Sequence, residues 1–78
     1  MKLPRNVSAL RLIKVLETLG YHIVRQRGSH VRLHCDGLPA HSVTVPMHDP
    51  LKVGTLHGIL SEVASMRSVS LDSLVALL

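Results

Sequence analysis

The order of hydrophobic periods along the chain predicts an α+β fold: a two-layer α-β-β-β-α arrangement with a short extra C-terminal helix. Three observations carry this. Apolar residues from Val7 to Leu19 recur at three- and four-residue spacing, the helical period. From Tyr21 to Val45 the period changes to two, interrupted by turn signals, as in a meander of antiparallel strands. Helical spacing then returns at Leu56. At 78 residues the chain is expected to form one domain, spanning 1–78. A domain this small buries only a modest part of its surface. Its 46% apolar content and five acidic side chains argue against a disordered chain.

In the first helix Leu12, Val15 or Leu16, and Leu19 form the apolar stripe, with Ala9 and Ile13 beside it. Asn6 or Ser8 supplies the cap by accepting a bond from a free backbone N–H. Gly20 ends the helix in a left-handed conformation. The first strand runs Tyr21 to Gln26. Strict alternation puts Tyr21, Ile23 and Arg25 on one face and His22, Val24 and Gln26 on the other, and six residues leave open which face is buried. Arg27-Gly28-Ser29 reads as a tight turn, with Gly28 free to take positive φ. The second strand, His30 to Cys35, separates cleanly. Val31, Leu33 and Cys35 are apolar, while His30, Arg32 and His34 are basic or titratable. After the turn Asp36 to Ala40 comes a third strand, His41 to Val45, which Pro46 is expected to stop. Thr55 is the expected cap of the second helix, whose stripe is Leu56, Ile59, Leu60 and Val63. Ser70 caps a third helix, Leu71 to Leu78, with Asp72 in its first turn. That helix is expected to pack on the core, the alternative being a dimer or partner surface. One face of the sheet must then be covered by helices, leaving the other for solvent or a ligand.

Net charge is +4 with histidine neutral, so a polyanionic partner, nucleic acid or an acidic protein, is expected. With one Tyr and no Phe or Trp, the chain lacks the aromatic platforms on which many single-strand binders stack bases. The lone Cys35 allows no internal disulfide and reads as a small core residue. No apolar run reaches the roughly 20 residues of a membrane span. The basic start Met1 to Arg5 is not followed by the apolar segment of a signal peptide, so a cytoplasmic location is expected and no membrane partner.

The six histidines do not have metal-ligand spacing. His30 and His34 share a strand face but lie roughly 13 Å apart, and His57 has no second histidine one helical turn away. No metal and no cofactor are expected. Ser29 adjoins His30 without a nucleophile elbow, and the five acids suggest no carboxylate pair. What remains is a histidine among cations. That combination suits RNA cleavage, in which the substrate's own 2′-hydroxyl is the nucleophile and imidazole transfers protons. On this reading His30 is the acid or base. Arg25, Arg27, Arg32 and Lys52 are candidate phosphate contacts, because guanidinium and ammonium groups bind phosphate oxygens. The plainer alternative for His30 is a turn-end histidine bonded to backbone. For Arg32 and His34 it is a solvated strand face, and His22, His41 and His57 read as structural or surface residues.

Several motifs recur together in order: Gly20-Tyr21 after the first helix, Arg25-Gln26-Arg27-Gly28-Ser29-His30, Asp36-Gly37, Val43-Thr44-Val45-Pro46 with His48, and Gly54-Thr55-Leu56 with Ile59-Leu60. This set resembles the HicA toxins of bacterial type II toxin–antitoxin modules, from about Ser8 to Val63. The resemblance implies a double-stranded-RNA-binding-domain-like fold. It implies a metal-independent ribonuclease acting on mRNA, and a HicB-type antitoxin partner that covers the active site. It places the catalytic histidine of the Gly-Ser-His motif at His30, with Gly28 and Ser29 completing the motif. Gly54 and Thr55 match the start of the family's second helix, where backbone N–H groups can hold phosphate. Two positions depart from the pattern. His57 stands where a basic residue often follows, and Val53 precedes Gly54 with Lys52 one step earlier. A non-catalytic RNA-binding module of the same fold is the alternative function, and a basic face that docks an acidic protein is a third.

Overall fold

The computed structural model describes residues 3–78; the first two residues of the basic start lie outside them. The elements are α1 (Ala9–Thr18), β1 (Tyr21–Arg27), β2 (His30–Cys35), β3 (His41–Pro46), α2 (Val53–Arg67) and α3 (Leu71–Val75). This is the α+β order expected from the periodicities. The three strands form one antiparallel sheet with β2 in the centre.

Ser8 caps α1, its Oγ accepting from the Arg11 N–H at 3.0 Å, whereas Asn6 lies outside the helix at φ 62. Gly20, at φ 98, closes the helix as expected, and its N–H donates to the Glu17 carbonyl. The second helix corrects the sequence expectation. It begins at Val53, with Lys52 in the cap position making no side-chain cap bond, and Thr55 sits half-buried inside the first turn. The cause is tertiary. Leu51 is buried beneath the helix start and donates its N–H to the Val7 carbonyl, while Leu56, with its N–H on the Lys52 carbonyl, enters the core. Those two anchors set where the helix starts and override the capping preference of Thr55.

The last helix is also shorter than expected. It ends at Val75, and turn bonds from Leu77 to Leu74 and from Leu78 to Val75 finish the chain. Leu74 is 2% exposed, and Leu71, Val75 and Leu78 pack against the same core, so this segment is a core element.

The core lies between the helices and one sheet face. Leu12 and Leu16 of α1, Leu56, Leu60 and Val63 of α2, and Val31, Leu33, Cys35, Val43 and Val45 of the sheet belong to one buried cluster. Each fully buried aliphatic side chain stabilises the fold by roughly 1.5–3 kcal/mol relative to exposure. At one end of the sheet Tyr21, Cys35 and His41 are cross-strand neighbours. The Tyr21 hydroxyl meets His41 Nε2, and His41 Nδ1 donates to the Pro39 carbonyl at 2.8 Å. A carbonyl can only accept, so His41 carries its proton on Nδ1 and Tyr21 donates to Nε2. His41 is therefore a satisfied buried histidine, in keeping with its structural reading. Burial pushes the Tyr21 hydroxyl up to about 12, with the neighbouring Cys35 adding to the shift.

Candidate functional site

The opposite end of the sheet holds the Gly28–Ser29 turn. Strand β1 includes Arg27, so only two residues connect the strands, one fewer than the sequence reading allowed. Gly28 takes φ 57 and Ser29 stays at negative φ, the pattern of a type II′ hairpin, which favours glycine at its first central position. A side-chain atom built on Gly28 would meet nothing within 4 Å. Its requirement for glycine is therefore conformational rather than steric. The Met47 N–H donates to the Ser29 carbonyl at 2.6 Å, tying the turn to the loop after β3. The His48 carbonyl in turn accepts from the Ala9 N–H, so the same loop is pinned to the start of α1.

Strand β1 does not alternate regularly. Tyr21, His22 and Ile23 pair with Cys35, His34 and Leu33 in register. A bulge follows, and Arg25, Gln26 and Arg27 pair with Arg32, Val31 and His30. Val24 is the extra residue, 52% exposed. Directly opposed residues project to the same sheet face. The bulge therefore moves Arg25 off the face of Tyr21 and Ile23 and onto the face of Arg32. This corrects the strict alternation expected from the sequence. A bulge bends and re-aims a strand in this way.

Three cross-strand rows result on the face away from the helices. The first is Arg27, His30 and Pro46; the second is Arg25, Arg32 and Thr44; the third is His22, His34 and Ser42. Pro46 ends the edge strand β3 inside the ladder, a position a residue without an N–H can occupy. His30, Arg25, Arg27 and Arg32 are all exposed. Among the described residues no side-chain hydrogen bond or ion pair engages His30, Arg25 or Arg27, and the Arg32 side chain donates only to Thr44 Oγ1 at 3.1 Å. Two guanidinium groups directly opposite each other, with no carboxylate between them, repel. The pair is thus held at some cost in stability.

The third row differs. His34 Nδ1 lies 2.8 Å from Ser42 Oγ, and its Nε2 lies 3.1 Å from Asp36 Oδ1. The His22 and His34 rings meet edge to face with centroids 5.9 Å apart. By sequence His22 reads as a structural or surface residue. Its place on this face depends on its pairing with His34, which no local signal reveals.

The remaining candidates lie elsewhere. Gly28 and Ser29 form the turn beside His30. Lys52 and Thr55 begin α2, in the helix layer, and no hydrogen bond joins them to the sheet face among the described residues. His57 is exposed on α2. No group of three His, Cys, Asp or Glu side chains among the described residues is arranged to hold a metal ion. No helix of the described residues is long and apolar enough to cross a membrane.

No curated protein and no solved structure gives a significant match to the chain. The family model for the HicA toxin of bacterial toxin–antitoxin systems matches residues 11–64, more than two thirds of its length. The matched span holds most of α1, the whole sheet with its Gly28–Ser29 turn, and most of α2. The chain therefore belongs to the HicA toxin family, whose members are the toxins of modules that pair a toxin with an antitoxin.

Proposed function

We propose that this toxin is an endoribonuclease that cleaves mRNA in the cytoplasm, with His30 as its acid–base group. The observation that carries the reading is the pairing of β1 with β2 across the Val24 bulge. It gathers Arg25, Arg27 and Arg32 on the face of a histidine whose ring nitrogens are free of protein partners. Arg27 and Arg32 flank His30 and hold the scissile phosphate and its neighbour through charge-assisted bonds. Arg25 adds to this positive field. Gly28 and Ser29 present His30 at the end of the sheet. Lys52 and the free N–H groups at the start of α2, including that of Thr55, supply a further phosphate contact outside the sheet face.

The reaction needs no protein nucleophile and no metal ion. A base takes the 2′-hydroxyl proton, the 2′-oxygen bonds to phosphorus, and the P–O5′ bond breaks. An acid returns a proton to the departing 5′-oxygen. The products are a 2′,3′-cyclic phosphate and a 5′-hydroxyl. His30 performs one of the two proton transfers, a role commonly worth about 10²–10⁴ in rate. The guanidinium groups stabilise the extra negative charge on phosphorus oxygens. A HicB-type antitoxin that covers this face would block substrate entry.

The test compares the wild type with His30→Ala in buffer containing EDTA, measuring RNA cleavage, RNA affinity and growth arrest. Cleavage by the wild type, and a loss of at least a hundredfold in the variant with fold and affinity retained, is the expected result. Equal cleavage or equal toxicity in the variant would remove His30 from the reaction. Binding without cleavage by the pure wild type would make the chain an RNA-binding module.

A further inference from the structure

We infer that the open sheet face takes a single RNA strand along β2, one nucleotide per cross-strand row. Phosphates meet the first two rows and a base meets the third. The inference rests on the ribonuclease reading for its substrate and goes beyond it in fixing the path and length of the contact.

The spacing is the first argument. Successive same-face rows are two residues apart, roughly 6.7 Å along the strand. A stacked nucleic-acid strand advances about 3.4 Å per phosphate, and an unstacked one extends to about twice that. The rows therefore suit an extended single strand. Charge is the second argument. The Arg27–His30 and Arg25–Arg32 rows are cationic or titratable, and no carboxylate bonds to either among the described residues. The third row breaks the series, because Asp36 lies against His34 at 3.1 Å and its carboxylate repels a phosphate. Two phosphates are thus the natural limit of the track.

The chemistry of the third row suits a nucleobase. The His22 and His34 rings offer planar surfaces on a chain almost without aromatic side chains. One Asp36 oxygen engages His34, while the carboxylate is 80% exposed, leaving acceptor capacity for an exocyclic amine. Ser42 can donate to or accept from His34 Nδ1, so this row keeps its internal bonds in either protonation state of the ring.

The experiment uses full-length His30→Ala protein and short single-stranded RNAs in which each phosphate in turn is replaced by a neutral methylphosphonate. Two adjacent substitutions are expected to weaken binding about tenfold each, and the others less than twofold apart from a separate one that meets Lys52 at the start of α2. An abasic nucleotide just beyond the second sensitive phosphate should cost about fivefold, and that cost should vanish in a background that also carries His22→Ala. Adding Arg32→Ala should erase the sensitivity of one of the two phosphates and leave the other. A run of three or more adjacent sensitive phosphates, an unchanged scan with Arg32→Ala, or tighter binding of duplex than of single strand would overturn the inference. Cleavage by the wild type alongside a flat scan would overturn the track alone. A two-phosphate footprint on a wild type that does not cleave would overturn the catalytic reading alone.

Discussion

Deleting Val24 separates the bulged strand from a regular one. The Gly28–Ser29 hairpin anchors Arg27 opposite His30, so any change of register in β1 is transmitted toward Tyr21. In the bulged strand Val24 has no partner of its own. Its removal heals the ladder, keeps Tyr21 opposite Cys35 and deletes a side chain that is 52% exposed. Stability should change by no more than about 1 kcal/mol, as for other exposed positions. If β1 alternated without a bulge, the same deletion would turn Tyr21 and Ile23 to the opposite face. Tyr21, 2% exposed, would leave the core at a cost of roughly 1.5–3 kcal/mol. His41 would lose its hydroxyl partner and remain buried, adding about 1–3 kcal/mol. A total of several kcal/mol rivals the whole stability of a small domain. Tyr21 is the only Tyr, and the chain has no Trp or Phe, so near-ultraviolet circular dichroism reports its environment without interference. Urea titration of wild type and deletion variant, followed by that signal and by far-ultraviolet ellipticity, is the assay. Loss of the Tyr21 signal, or a stability loss above about 3 kcal/mol, would refute the assigned register.

The same residue makes stability depend on alkaline pH. The folded chain holds the Tyr21 proton up to about 12 against an ordinary 10.0, so it binds more protons than the unfolded chain between those values. The corresponding stabilisation is complete below pH 10 and is lost as pH rises through 12, a fall of about 3 kcal/mol at about 1.4 kcal/mol per pH unit. Denaturation across that range should show the fall in the wild type and not in Tyr21→Phe; equal slopes would contradict the assignment. Gly28→Ala should cost about 1–2 kcal/mol in thermal or urea unfolding, because an L side chain is strained at φ 57 even with open space around it. It should also lower RNA cleavage by disturbing His30, and an unchanged midpoint would show that the turn does not need glycine.

Much of the architecture was legible in the chain. Leu12, Val15 and Leu16 of the α1 stripe, the apolar face Val31, Leu33 and Cys35, and the core positions Leu56, Ile59, Leu60 and Val63 are all buried as their spacing indicates, while Leu19 at the end of the stripe is only partly buried. Gly20 and Gly28 both occupy the left-handed region that their places after a helix and in a hairpin demand. The ordered motifs were sufficient to indicate the family. These features are local, set by period, by turn chemistry and by the side chain's preference for water or oil. Two features were not local. The start of α2 was decided by the burial of Leu51 and Leu56, which outweighs the capping preference of Thr55. That Arg25 and Arg27 face away from Tyr21 and Ile23 was decided by one extra residue in β1. A single bulge leaves composition and approximate alternation intact, and it is defined only by what lies opposite on β2. The sequence by itself determined the α+β fold, the core and the placement of His30 beside a glycine turn. Only the tertiary structure decided which cations stand beside that histidine, because strand register is a property of the pair and not of either strand.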